Sequence, residues 1–258
     1  MDVTDRFAEL VRGPKAECRL DLGSFLIAAH AHPGLDVDEQ LARLDALAEG
    51  CPEPTLDGLI RHLFKEQGFQ GDTEDYGHPR NSLLDSVLDR RRGIPITLSV
   101  VALEVARRLS IPLEGVGMPG HFLMRDRVDR DVFIDPFWRV QLDREGCQKL
   151  FRAVHGESAR FNDGFLEPVD NRATIARILT NLRRSYATIG DRTGALWSQC
   201  LRVLVPGVSA QDRRDLAALL AANGRFDAAA EELEAIADDG WGSDQDRAAA
   251  RAMRSRLN

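Results

Sequence analysis

His121-Phe122-Leu123-Met124-Arg125 and, after a short polar run, Asp131-Val132-Phe133-Ile134-Asp135 read as the two arms of a β-hairpin. An antiparallel pairing with Leu123 facing Phe133 sets His121 opposite Asp135 and Arg125 opposite Asp131, all on one side of the sheet. Phe122 with Ile134, and Met124 with Val132, then fall on the other side. Asp126 opposite Arg130 closes the turn. Apolar pairs, opposite-charge pairs and turn agree on this register, and a slip of one residue would scramble all three.

Outward from the hairpin, Leu113 to Met118 reads as a further strand. Pro95 suits the first position of the helix before it, where a missing N–H costs little. That helix, Ile96 to Leu109, has apolar residues on more than one side and is expected to be buried nearly all round. Further upstream, Asn81 or Ser82 is placed to cap a short helix with Leu83, Leu84, Val87 and Leu88, which runs into Arg90-Arg91-Arg92-Gly93. A polar link from Gln70 to His78 separates this from three N-terminal helical segments, opened by Asp21, by Asp36 with Glu39 at capping-box spacing, and by Thr55. From Arg172 the chain is helical again. Leu182 and Leu216, Tyr186 and Leu220, and Ala195 and Ala229 are each 34 residues apart, as are Asp191 and Arg225. That is the tetratricopeptide period. The expected architecture is α+β: a helical segment over 1–70, a core with a small antiparallel sheet over 71–170, and helical repeats over 171–258.

The 258 residues, 43% hydrophobic and 29% charged, suit a globular chain and exclude a disordered or fibrous one. A formal charge of -7 gives no general attraction to nucleic acid or anionic lipid. No apolar run is long enough to cross a membrane, and Met1-Asp2-Val3-Thr4-Asp5 lacks the basic-then-apolar pattern of a secretory signal. The cysteines at 18, 51, 147 and 200 are scattered, with neither a zinc spacing nor a disulfide framework. A cytoplasmic protein is expected. No cofactor or metal is implied: Gly115 to Gly120 lacks the Lys-Ser/Thr of a phosphate loop, and His30 and His32 have no further ligands nearby.

His121 and Asp135 are the residues with chemistry in them. A carboxylate accepting from one imidazole nitrogen fixes the tautomer and leaves the other nitrogen free as a base. Such a base needs a nucleophile within hydrogen-bond reach, and the N-terminus of a buried helix is where a thiolate is stabilised.

Asn81-Ser82, Arg91-Arg92-Gly93-Ile94-Pro95-Ile96-Thr97-Leu98-Ser99, Ile111-Pro112-Leu113-Glu114-Gly115-Val116, Pro119-Gly120-His121-Phe122 and Ile134-Asp135-Pro136-Phe137 together resemble the transglutaminase-like superfamily. More closely, they are similar to its bacterial SirB-like branch, which joins that core to tetratricopeptide repeats. The resemblance implies a papain-like fold, with His121 and Asp135 at the positions of the superfamily's catalytic His and Asp. The catalytic Cys of that triad would fall near Pro95, and no cysteine stands between Ile94 and Ser99. Thr97, Ser99 and Cys147 are the candidate replacements. Their blander roles are helix capping or back-bonding for the two hydroxyls, and a small buried hydrophobe for Cys147.

Two classes of function follow. In one, the degenerate core is a groove and the repeats a concave surface, and the protein is a binding or regulatory scaffold for a protein or peptide. In the other, His121 and Asp135 serve a hydrolase or transamidase with a relocated nucleophile. A nucleic-acid partner rests only on the Arg90-Arg91-Arg92 run, which could equally grip a phosphate or complement a helix C-terminus, and the acidic total opposes it.

Overall fold

A computed structural model of the chain describes residues 2–238 and 241–257. It divides into two compact units, one of Cys18–Ile178 and one of Met1–Glu17 with Leu179–Asn258. This differs from a three-part division at 70 and 170. Helix α1 (Val3–Arg12) groups with the C-terminal helices because Phe7 and Val11 are fully buried and it packs on a helix of that unit. Residues 18–70 are part of the core unit itself.

The core unit runs α2 (Leu20–Ala31), α3 (Val37–Glu49), α4 (Leu56–Arg61), β1 (Gln70–Gly71), α5 (Leu84–Arg90), β2 (Arg92–Gly93), α6 (Pro95–Arg108), β3 (Leu113–Val116), β4 (Leu123–Asp126), β5 (Phe133–Asp135), β6 (Val140–Leu142) and α7 (Arg144–His155). Asp36 caps α3 through the N–H groups of Asp38 and Glu39, and Thr55 caps α4 through that of Gly58. Pro95 takes the first turn of α6, and Thr97 in the same turn receives the Ile94 N–H. Helix α6 is buried along nearly its whole length and packs on α2, α3, α4, α5, β3 and β4. Two expected caps fall elsewhere. Helix α2 starts one residue before Asp21, and Asn81 ends a short turn (Pro79–Asn81) while Leu83 takes the cap position of α5. In both cases the polar side chain serves tertiary partners instead of its own helix.

The antiparallel sheet has the order β3-β4-β5-β6. In the hairpin, Met124 pairs with Ile134 and Arg125 with Phe133, two residues away from the register built on opposite charges. The connection is therefore longer, with the Asp126 N–H bonded to the Val132 carbonyl across residues 127–131. Arg125 explains the shift: it bonds Glu114, its cross-strand neighbour on β3, and the Leu166 carbonyl, and has no need of Asp131. A shift of two keeps every residue on its expected face. Leu123 and Phe133 pack with Val116, Met118, Leu166 and, from α7, Cys147 and Phe151. A second, parallel pairing joins β1 to β2, Gln70 opposite Arg92 and Gly71 opposite Gly93.

The helical unit contains α1, the last part of α8 (Asn171–Thr188), α9 (Arg192–Leu204), α10 (Ala210–Ala222), α11 (Phe226–Asp238) and α12 (Asp244–Arg254). The 34-residue offset holds in the backbone. Both ends of α9 and α11 differ by 34, as do the ends of α8 and α10 at 188 and 222. Gly190 and Gly224 both take positive φ, 77° and 76°. The next amide bonds back to Tyr186 in one repeat and Leu220 in the other. Leu216 and Leu220 of α10 pack with Ala229, Leu233 and Ile236 of α11, against Ala250 of α12.

Asp21 is the polar centre of the core unit. Fully buried, it accepts from Arg19, Arg107, Arg108 and the Leu22 N–H. Burial alone would raise its pKa, but the hydrogen bonds from Arg19 and Arg108 outweigh that and hold it at about 2. Glu104 beside it is pushed up by burial and by the Asp21 charge. Asp21→Asn should cost about 3 kcal/mol at neutral pH, because it removes the fully buried carboxylate charge and leaves Arg108, the largely buried one of its three guanidinium partners, without it. A depressed folded-state pKa gives stabilisation that is complete above the unfolded value near 3.8 and lost as pH falls toward 2. Urea midpoints of wild type and variant should therefore converge as pH falls from about 4 toward 2. A gap that persists undiminished through that range would contradict this assignment.

Candidate functional site

The site is assembled where β4 begins and β5 ends. Gly120 has φ 76°, and a Cβ there would come within 2.6 Å of Val154 Cγ1 and 2.7 Å of His155 Nε2. The backbone thus passes hard against the end of α7, where His155 Nε2 lies 3.0 Å from the Pro119 carbonyl. From α8, Arg177 donates to the carbonyls of Met118 (2.9 Å) and His121 (2.7 Å) and sets its guanidinium over the Phe122 ring. The backbone of His121 is held on both sides before its imidazole does anything.

His121 Nε2 lies 2.9 Å from Asp135 Oδ2. The distance is that of a close ion pair, but the oxygen sits out of line with the ring N–H. Neither atom makes a well-directed hydrogen bond, and both are sealed from water. Asp135 is fully buried, and its other oxygen accepts the N–H groups of Phe137 (2.9 Å) and Trp138 (3.2 Å). This is the physical sense of Asp-Pro at this point: Asp135 organises the turn after β5 with one oxygen and presents the other to His121. Nδ1 is the imidazole nitrogen that does not face Asp135.

One aromatic ring borders the pair, and two more pack against that ring. Phe137 stands edge-on to His121 at 6.4 Å, and its far side rests on Gly71 of β1, where a Cβ would clash at 2.6 Å. Tyr76 packs edge-on to Phe137 at 5.7 Å and Trp138 at 5.0 Å. Both outer rings are more than half exposed, Tyr76 at 51% and Trp138 at 56%. Partial burial pushes the Tyr76 phenol up, the Arg177 charge opposes this and the Asp135 charge adds to it. Tyr76 therefore lies in the same electrostatic field as the pair.

The candidate nucleophiles stand as follows. Thr97 is buried, and its hydroxyl donates to the Asn81 carbonyl at 2.7 Å, so its proton is engaged away from any imidazole. Ser99 is fully buried on α6 with its Oγ unpartnered. Cys147 sits in the apolar cluster under the sheet, where burial and the charges of Asp143 and Asp135 push its thiol up to about 12. This is the reverse of the shift that makes a cysteine reactive. Among the described residues, no group of three or more His, Cys, Asp and Glu could hold a metal, and no helix is long and apolar enough to cross a membrane.

Tyr76, Arg177 and His155 carry no sequence signal of the site. Tyr76 lies in what reads as a polar linker, and Arg177 in what reads as the start of a repeat. Nothing in either local pattern points to the hairpin.

A family model described as the transglutaminase-like superfamily matches residues 33–180. Bacterial relatives include a UPF0162 protein of Xylella fastidiosa, 42% identical over 153 residues (57% of this chain and 54% of the relative). A UPF0162 protein of Pseudomonas aeruginosa is 33% identical over 168 residues, 64% of this chain and 62% of the relative. Human F-box only protein 21 is 43% identical over 149 residues, 54% of this chain but 22% of that protein. The matches thus span about half the length of the bacterial relatives. No solved structure matches the chain.

A thiol raised to about 12 carries a thiolate fraction on the order of 10⁻⁴ or below at pH 7.5. Peptide mapping after iodoacetamide treatment should find Cys147 unmodified in the native protein and fully alkylated in urea. Rapid native alkylation would put the thiol in a different environment.

Proposed function

Since the chain belongs to the transglutaminase-like superfamily, we propose that it is a SirB-like member whose core has given up thiol chemistry and serves as a binding module for a protein or peptide segment. The observation that carries this reading is the hydroxyl of Thr97. In the first turn of α6, where the superfamily's nucleophile is expected, the side chain present donates its proton to the Asn81 carbonyl. The pushed-up thiol of Cys147 adds to it. His121 and Asp135 then act as a polar anchor. Nδ1 takes a hydrogen bond from or gives one to a ligand, while Tyr76 and Trp138 offer exposed aromatic surface of the kind that dominates recognition sites.

Two further features favour binding. The C-terminal helices, read as tetratricopeptide-like repeats, belong to a class of architecture that presents extended binding surfaces. A similar segment also forms about a fifth of F-box only protein 21. A cytoplasmic setting fits the four free cysteines.

A second reading keeps an acyl-transfer enzyme with Ser99 as nucleophile, and the unpartnered Oγ of that residue is the observation in its favour. Ser99 is fully buried, so this reading requires α6 to open.

Peptides selected from a display library on the full chain separate the two. Binding should weaken about tenfold or more in Trp138→Ala and His121→Ala, while a panel of fluorophosphonate and acyl probes leaves the protein unlabelled. Covalent labelling of Ser99 that His121→Ala abolishes would overturn the binding reading, as would selected peptides indifferent to both substitutions.

A further inference from the structure

A recess of about 300 Å³ lies between α3 and the end of α5, lined by Arg43, Ala46, Leu47, Gln67, Leu88 and Arg91. It shares no residue with the His121 site. Its chemistry follows from how the Arg90-Arg91-Arg92 run is divided. Arg90 pairs with buried Asp72 and the Asn81 side chain, and Arg92 reaches Glu74 at 3.5 Å. Arg91 has no carboxylate partner among the described residues. One Nη donates to the Gln67 carboxamide at 2.9 Å, and the guanidinium lies over the Phe69 ring at 4.7 Å.

That arrangement holds a cation in place without neutralising it. Of five guanidinium donors, one is engaged. The second cation, Arg43, meets Asp89 at 2.7 Å and Gln40 at 2.8 Å. Asp89 is thus the carboxylate next to the recess, and its side chain is 64% exposed. Burial and the Arg43 charge both push the Arg91 pKa down, so the two cations feel each other across the recess. Arg91 also ends α5 with φ 57° and ψ 23°, a left-handed position where glycine is the usual residue.

We propose that this recess binds a small organic or inorganic oxyanion, a carboxylate or a phosphate, between the guanidinium groups of Arg91 and Arg43. Paired guanidinium forks match such groups by charge-assisted hydrogen bonds. Leu47, Leu88 and Ala46 provide an apolar wall for a short aliphatic tail. The volume lies at the small end of the range for small-molecule sites, which favours a ligand of a few carbons over a nucleotide.

The test uses the full chain with sodium butyrate and inorganic phosphate as separate probes, at ionic strength held constant with chloride. Side-chain amide resonances of Gln67 and arginine Nε–H resonances should shift saturably with at least one probe, and calorimetry should give a matching isotherm. Butyrate alone identifies a carboxylate ligand, and phosphate alone a phosphate. Arg91→Gly is the informative variant, since glycine accepts the left-handed backbone and the protein stays folded while the guanidinium is lost. Arg43→Gln, on a helix surface, is its companion. Affinity should fall about tenfold or more in each, with urea midpoints near wild type. Absence of saturable binding by either probe, or an isotherm unchanged in both variants, overturns the proposal.

Discussion

Asn81 has no polar group left unengaged. Its N–H bonds the His78 carbonyl, and its own carbonyl receives the Thr97 hydroxyl and the Ile94 N–H. Its carboxamide oxygen takes a hydrogen bond from Arg90, and its nitrogen donates to the Asp75 carbonyl at 2.6 Å, with Tyr76 O at 3.4 Å. The residue is fully buried, so each lost bond would leave a desolvated group behind. One residue thereby joins, through its side chain, the loop that carries Tyr76 and the arginine that reaches Asp72, and, through its backbone carbonyl, the first turn of α6. The same bonds determine what α6 can offer at its start, because the Thr97 hydroxyl is a structural donor there. The Thr97 hydroxyl is thereby part of the scaffold.

Much of this was open to reading from residue types. Asp36, Thr55 and Pro95 act locally, within one turn of helix, and local rules suffice for them. The 34-residue offset is equally plain, since the repeat imposes the same backbone at Gly190 and Gly224. The hairpin shows where such reading stops. Its faces come out correctly because alternation has a period of two, yet its register does not, because Arg125 has a carboxylate available on either neighbouring strand. Only the three-dimensional order of the strands selects Glu114 over Asp131. Asp21 and Asn81 misled for a related reason. Both have the composition of a helix cap, and both are drawn to arginines far off in sequence: 86 and 87 residues away for Asp21, nine for Asn81.

The candidate site divides in the same way. His121 and Asp135 stand out because a strand pattern places them near each other, and the structure sets Nε2 and Oδ2 2.9 Å apart. What surrounds them comes from segments with no periodic relation to the hairpin: Tyr76 from an irregular loop, Arg177 from α8, Gly71 from a two-residue strand. A strand of that length has no sequence signature, being created by β2 alongside it. The environment of Cys147 is also a tertiary product. Its neighbours Glu145, Gly146 and Gln148 suggest a polar helix start, whereas its side chain ends among Val116, Met118 and Phe133.

The outer strand of the sheet has a consequence for how the molecule behaves in a crowd. β6 is exposed along Val140 and Gln141, the usual invitation to templated stacking of one chain upon another. It is also only three residues long. Arg139 turns the backbone left-handed immediately before it, and Asp143 diverts the chain into α7 immediately after. An incoming strand would find too few free ladder positions to nucleate a stack. The sheet thus leaves its border open and is protected from fibrillar growth by brevity alone, so that insertions lengthening β6 would convert a harmless rim into an adhesive one.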